Sequence, residues 1–191
     1  MDGDKNCTTC GIAIIAEVKA GGTTTYLADI AAVLEAAKDN GTLTIIAKAD
    51  TVTLPDKNGY PVLYAEGTLT LDLNGHTLNG GGLMVGGYIG GSNTRTGNLT
   101  VIDSAGGGKI DGARTGLKVQ PGANIKFDGA DTTVCSKLAV YSNVNQPAQI
   151  RFTGGVIHDI FQLSGATCAD LLATDHCFSA TMKLSLRWAK P

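Results

Sequence analysis

Five segments of the chain repeat one order of polar and apolar residues: Thr42-Leu43-Thr44-Ile45, Thr68-Leu69-Thr70-Leu71, Asn98-Leu99-Thr100-Val101, Asn124-Ile125-Lys126-Phe127 and Gln149-Ile150-Arg151-Phe152. Alternation with period two buries one face and wets the other, so each segment reads as a strand. The aliphatic positions 43, 69, 99, 125 and 150 are 26, 30, 26 and 25 residues apart. Each strand is followed by a second β-like segment, at Val52-Thr53-Leu54, Thr77-Leu78, Lys109-Ile110, Thr133-Val134 and Val156-Ile157. A third follows at Val62-Leu63-Tyr64, Leu83-Met84-Val85, Leu117-Lys118-Val119, Leu138-Ala139-Val140 and Phe161-Gln162-Leu163.

Three short strands in about 25 residues make one coil of a solenoid, and a single coil buries almost nothing. Stacking coils at the ordinary strand spacing of about 4.8 Å creates a continuous aliphatic core and pairs the inner backbone. The expected fold is therefore all-β, a right-handed parallel β-helix of about five rungs over residues 41–163. The longer interval between 69 and 99 marks a looped-out insertion over 86–97. An antiparallel sandwich is the rival, with Asn58-Gly59 and Asn74-Gly75 as hairpin turns. It does not account for five similar blocks at near-constant spacing.

A solenoid leaves strand edges and core open at its ends unless they are covered. Residues 1–40 read as an N-terminal cap, with a strand over Ile12–Val18, a turn at Gly21-Gly22 and a return strand over Thr23–Tyr26. Leu27, Ile30, Ala31 and Leu34 then follow the spacing of an amphipathic helix. Thr24 or Thr25 is placed to cap its start, and Gly41 lies just past its end. Residues 164–191 read as a C-terminal cap, a short helix over Cys168–Ala173 with Thr167 before it and an alternating strand over Met182–Trp188.

Composition narrows the function. The chain of 191 residues is 43% hydrophobic but only 17% charged, so Thr, Asn, Ser and Gly must solvate its surface. A net charge of −2 argues against nucleic acid, which is held by clustered Lys and Arg. No apolar run approaches the ~20 residues that span a bilayer, so membrane insertion is not expected. Met1–Lys5 lacks the apolar stretch of a signal peptide, which places any export signal outside this sequence. The 26 glycines, about twice the ordinary share of roughly 7%, cluster between the β-like runs as turn punctuation.

Five cysteines, Cys7, Cys10, Cys135, Cys168 and Cys177, cannot all pair within one chain. Cys7 and Cys10 are the metal candidates, half of a zinc-ribbon pattern that no second CxxC or spaced His pair completes. No metal or cofactor is therefore expected, and a local disulfide or a border with a neighbouring module are the alternatives. Cys168 and Cys177 are near enough in sequence to pair, while Cys135 reads as a small buried hydrophobe.

Leu71-Asp72-Leu73-Asn74-Gly75-His76-Thr77-Leu78 resembles a signature of pectate-lyase-like β-helix surface proteins of gut Gram-positive bacteria. Gly22–Tyr26 with the Ala-rich segment and Gly41–Thr44 is similar to the opening of those modules, and Thr167–Ala173 to their closing helix. The Cys7-x-x-Cys10-Gly11 start is similar to their borders. The matches touch most of the chain from residue 7 to about 178. The resemblance implies a parallel β-helix at the bacterial cell surface with an adhesin-like role, and it supplies no catalytic residues.

Asp72, Asp103 and Asp128 end first-strand runs in three successive rungs and are the catalytic candidates. Carboxylates on adjacent coils can serve as acid and base on a polysaccharide or can bind calcium. Aspartate also favours turns, because its carboxylate bonds nearby amides, and the offsets of three, four and three residues point Asp103 elsewhere. His76, His158 and His176 stand beside no nucleophile, and His76 reads as a turn side chain. The Thr-x-Thr runs at 42–44, 51–53 and 68–70 suggest an ice-binding face, but Lys126 and Arg151 interrupt the rank. Tyr60, Tyr64, Tyr88 and Tyr141 offer stacking faces for sugars. The insertion, with Tyr88, Asn93 and Arg95, is the ligand-binding candidate, since loops on a rigid scaffold carry function. The expected role is a non-enzymatic module recognising glycan or a host surface protein. A passive stalk unit and a polysaccharide lyase or glycoside hydrolase are the alternatives.

Overall fold

A computed structural model of the chain describes residues 5–55, 62–89, 92–112, 117–128, 133–134, 138–141, 149–152, 156–157, 161–164 and 171–173; side chains are described for 5–55, 62–86, 96–110 and 118–128. It is mostly strand, with one helix. In chain order β1 (Ala16–Ala20) and β2 (Thr23–Leu27) form a hairpin and α1 (Ile30–Ala36) follows. Strands then come in threes. The first set is β3 (Gly41–Ile45), β4 (Thr51–Leu54) and β5 (Leu63–Ala65), and the second is β6 (Thr68–Asp72), β7 (Thr77–Gly80) and β8 (Leu83–Val85).

The two-stranded insertion of β9 (Gly87–Ile89) and β10 (Ser92–Arg95) interrupts the sequence of threes. It is followed by β11 (Asn98–Ile102), β12 (Lys109–Gly112) and β13 (Leu117–Val119), then β14 (Asn124–Phe127), β15 (Thr133–Val134) and β16 (Leu138–Tyr141). The last set is β17 (Gln149–Phe152), β18 (Val156–Ile157) and β19 (Phe161–Ser164), with β20 (Leu171–Ala173) beyond it.

The members of each set go to three different sheets. One sheet has the order β2-β1-β3-β6-β11-β14-β17-β20, a second β18-β15-β12-β7-β4 and a third β19-β16-β13-β8-β5. From β3 onward every neighbour in these sheets is parallel; only the hairpin of β1 and β2 enters antiparallel. The antiparallel sandwich is thereby excluded. Asn74 and Gly75 do take the positive φ of a tight turn, 48° and 80°, but they join β6 to β7, which belong to different sheets. The dipeptide turns a corner and does not close a hairpin.

Register explains the alternation. Leu43, Leu71, Val101 and Phe127 are successive partners in the first sheet, and each is buried. Leu69, Leu99 and Ile125 form the parallel row beside them. Val52, Leu78 and Ile110 repeat the arrangement in the second sheet, and Leu63 with Leu83 in the third. One apolar cluster takes in residues of all three sheets, together with Val33 and Ala37 from the helical segment. Burying each large aliphatic side chain contributes about 1.5–3 kcal/mol, so the stack is held mainly by these rows.

Four expectations are corrected. Strand β3 pairs Leu43 with Leu71 of β6, two residues further along than the spacing of 26 implied. The helix begins later than the stripe from Leu27 suggested: its cap is Asp29, whose Oδ1 accepts from the Ala32 N–H at 2.8 Å. Thr24 and Thr25 are instead consumed by strand pairing with Lys19 and Val18. Gly41 is not a helix cap but the first residue of β3, at φ 143°, where a Cβ would stand 2.7 Å from the Lys19 carbonyl oxygen. Finally, Leu171–Ala173 pair with Ile150–Phe152 as a strand, so the expected helix over Cys168–Ala173 does not extend through them. The strand expected over Met182–Trp188 lies outside the described residues. No helix among those described is long and apolar enough to cross a membrane.

Candidate functional site

The polar residues of the Leu71–Leu78 segment meet backbone carbonyls of the preceding strand set and polar residues of the following one at one corner. Leu71, Leu73 and Leu78 point inward and are buried, which leaves Asp72, Asn74, Gly75 and His76 to shape the turn. Asp72 is only 7% exposed, and its Oδ1 accepts from two amides, Asn74 N–H at 2.9 Å and Ser104 N–H at 3.0 Å. The first bond closes its own turn; the second reaches the next coil. Asn74 does the same in both directions. Its Nδ2 donates back to the Ile45 carbonyl at 3.0 Å, and its Oδ1 accepts from Ser104 Oγ at 3.2 Å.

Asp103 answers from the following coil. Its Oδ1 accepts from Gly75 N–H at 2.7 Å and its Oδ2 from Gly108 N–H at 2.6 Å. Both carboxylates are thus occupied by backbone donors whose partners would otherwise face an unpaired corner. His76 is also buried. Its Nδ1 lies 3.1 Å from the Leu73 carbonyl and its Nε2 2.9 Å from the Ala47 carbonyl of the preceding coil. A neutral imidazole has one N–H, so it donates to one of these two acceptors; which one depends on the tautomer. The Ala47 oxygen also accepts from Lys5 Nζ at 3.0 Å, tying the N-terminal turn to the same corner.

The three catalytic candidates do not form one open site. Asp72 and Asp103 share the corner network, each holding amides of the other's turn. Asp128 belongs to the wet face, where its Oδ2 takes Lys126 Nζ at 2.6 Å with both side chains partly exposed. Ile102 occupies the register position of Asp72 in the intervening coil, so nearly two strand spacings, about 10 Å, separate the positions of Asp72 and Asp128 along the stack.

The outward row of the first sheet reads Thr24, Lys19, Thr42, Thr70, Thr100 and Lys126 by register, with Arg151 next. Three threonines stand together, and cations flank them on both sides, so the rank of hydroxyls is short. Lys19 is bound to Glu17 at 2.6 Å. That hydrogen bond, then the Glu17 charge and the smaller contributions of Tyr26 and Asp72, raise the Lys19 ammonium above its ordinary pKa.

Tyr88, Asn93 and Arg95 fall in the insertion. β9 and β10 pair antiparallel, with Asn93 opposite Tyr88 and Arg95 opposite Gly87 across an irregular register, in a sheet separate from the other three. Their side chains lie outside the described residues, as do Tyr60, His158, His176 and the side chain of Tyr141. Tyr64 is half-buried in β5. Tyr26, which the sequence reading passed over, is 48% exposed on the edge strand β2. Its signal was available, because four polar or aromatic residues in a row, Thr23–Tyr26, lack the alternation of a strand with a buried face.

Cys7 and Cys10 form a small turn at the N-terminus. Cys7 is half-buried, Cys10 is exposed, and both thiols are free. Among the described residues no group of three or more His, Cys, Asp or Glu stands together. Cys135, Cys168 and Cys177 lie outside the described residues. No family model, curated protein or solved structure matches the chain.

Proposed function

We propose that this chain is a short right-handed parallel β-helix serving as a non-enzymatic recognition module of a bacterial surface protein, with glycan or a host surface protein as its target. The β-helix reading is supported by the order in which the strands are used: each set of three visits the first, second and third sheets in turn, five times over. The recognition reading is carried by one observation, the β9–β10 hairpin. It interrupts an otherwise regular succession of coils, pairs with none of the three sheets and brings Tyr88 and Asn93 opposite one another. A hairpin outside the regular sheets is where a ligand contact can vary without disturbing the core.

The corner network favours a second reading, a passive stalk unit. Asp72, Asn74, His76 and Asp103 spend their polar atoms on backbone groups of adjacent coils, which stiffens the stack. A glycan-array screen of the purified chain beside Tyr88→Ala separates the two. Specific binding that the substitution abolishes places recognition on the hairpin. An array with no bound glycan removes sugar recognition and leaves the stalk reading or a protein target.

A further inference from the structure

The edge strand β2 is built in a way that neither recognition at the β9–β10 hairpin nor stiffening explains. It ends the first sheet, pairs with β1 alone among the described residues, and runs Thr23-Thr24-Thr25-Tyr26-Leu27 without a charge or a proline. Its first four residues are exposed, and its pairing with β1 is regular over all five positions. Open edges are ordinarily blunted by charge, proline, a bulge or shortness. The strands that end the other two sheets follow that rule: β4 runs into Pro55, and β5 has only three residues. β2 has none of these protections.

The hairpin fixes which backbone groups of β2 face outward. Gly21 and Gly22, at φ 56° and 80°, join the paired residues Ala20 and Thr23 in a two-residue turn of the kind that closes a hairpin. The hydrogen bond of that turn makes Ala20 and Thr23 a bonded pair. Bonded pairs alternate from there, so Val18 with Thr25 and Ala16 with Leu27 are bonded as well. Leu27 agrees with this phase, since its carbonyl is turned inward and accepts from Ile15 N–H at 2.8 Å. Thr24 and Tyr26 are the intervening residues, and they turn their N–H and C=O groups away from β1, toward the open edge.

We propose that β2 is a self-pairing surface, and that its partner is β2 of a second copy of this chain, antiparallel about a two-fold axis at Thr25. A two-fold axis makes the contact self-complementary and closes it as a dimer. With Thr25 at the centre, Thr24 of each copy stands opposite Tyr26 of the other, and each of these pairs exchanges both its N–H···O bonds. The side chains suit the same pairing. Tyr26 against Thr24 is an aromatic–β-branched pair, and Thr25 meets Thr25 of the second copy directly. Charge selects the same register. Tyr26 lies opposite Glu17 of its own hairpin and Thr24 opposite Lys19, so this pairing sets Glu17 of one copy in one cross-strand row with Lys19 of the other. Centring on Thr24 would line up Lys19 with Lys19, and centring on Tyr26 would line up Glu17 with Glu17.

The test is sedimentation velocity of the whole chain over a wide range of concentration, with a cysteine cross-link to read the register. The wild type is expected to pass from one chain mass toward two as concentration rises. Thr25→Lys sets two ammonium groups face to face at the axis, where opposed Cα atoms of a non-bonded pair are about 4.5 Å apart. Thr25 is exposed in the single chain, so this variant is expected to melt with the wild type and to stay monomeric. Under mild oxidation Thr25→Cys is expected to link two copies through the tryptic peptide 20–38, which has no native cysteine, because that separation suits a disulfide. Thr24→Cys, whose two copies stand diagonally across the axis, is expected to link on the order of tenfold more slowly.

A chain that stays monomeric at every concentration overturns the proposal and leaves the edge to a strand of a different protein. A dimer that a folded Thr25→Lys leaves intact also overturns it, as does equal cross-linking at positions 24 and 25. The wild-type mass and the cross-link rates decide without Thr25→Lys, so the test survives a failure of that variant to fold.

Discussion

Asp72 and Asp103 brace each other's turns: the Asp72 carboxylate accepts from Ser104 N–H beside Asp103, and the Asp103 carboxylate accepts from Gly75 N–H within the turn that Asp72 begins. Each also bonds an amide of its own turn, at Asn74 and Gly108. The result is a reciprocal clamp between two successive strand sets, at a turn where strand pairing is interrupted.

Removing one arm should be costly because it orphans amides and not merely a side chain. Asp103→Ala leaves Gly75 N–H and Gly108 N–H without their carboxylate, and a loss of about 3 kcal/mol is expected from bonds of this charged type. Asp103→Asn keeps one acceptor oxygen and should lose less. Because the two acids brace a common pair of turns, the double variant Asp72→Ala/Asp103→Ala should lose less than the sum of the single losses. Urea denaturation of the four proteins measures this. Additive losses would mean that the two turns are independent.

His76 stands beside the clamp, its ring nitrogens facing the Leu73 and Ala47 carbonyls. Replacing it with Ala removes a buried side chain and the hydrogen bond it donates to the Leu73 or Ala47 carbonyl, for an expected loss of about 2 kcal/mol. His76→Gln, which keeps a donor amide, should recover part of it. The melting temperatures of the three proteins provide the comparison, and an Ala variant as stable as wild type would show that the ring bears no load.

The parallel sheets were legible in the alternation of residues, because a row of core positions such as Leu69, Leu99 and Ile125 must recur once per strand of the first sheet. The register of the first coil was not. Thr42-Leu43-Thr44-Ile45 slides by two residues without changing which face is apolar, so alternation alone cannot choose between the registers. The helix cap was misplaced for a similar reason. Threonine and aspartate both cap helices, and only the pairing of Thr24 and Thr25 with β1 leaves the task to Asp29. Leu171–Ala173 have a helix-compatible pattern, yet pairing with β17 makes them a strand. At the corner, turn propensity indicated that Asp72 and Asp103 would hold amides. That those amides belong to the neighbouring coil could not be known before the register.

Two glycines should respond differently to Ala because they are glycine for different reasons. A Cβ on Gly97, where the chain returns from the insertion, would run into the Ala65 carbonyl and the Gly86 amide nitrogen. These are backbone atoms of the packed coils and cannot rotate away, so Gly97→Ala is expected to cost about 3 kcal/mol, at the upper end for overpacking. Gly107 has open space around it but sits at φ 83°. There Ala meets only the left-handed backbone strain of about 1–2 kcal/mol. Chemical denaturation should therefore rank wild type above Gly107→Ala and Gly107→Ala above Gly97→Ala, and the reverse order for the variants would contradict the close approach at Gly97.

Lys19 offers a test on the wet face that does not depend on unfolding. Glu17 raises its ammonium pKa chiefly through their hydrogen bond and then through its charge, so Glu17→Gln should lower the Lys19 titration toward the ordinary lysine value. A raised pKa favours the protonated folded state. Its contribution is complete below the unfolded lysine pKa and disappears as pH rises through the folded one, so its loss falls in the alkaline range. At neutral pH the contribution is present but small, because the Lys19 end of the pair is exposed and screened by solvent, so only a slight loss of stability is expected from the substitution. NMR titration of the Lys19 side chain in both proteins measures the shift directly. A Lys19 midpoint unmoved by Glu17→Gln would mean that Tyr26 and Asp72, the more distant charges, hold the ammonium instead.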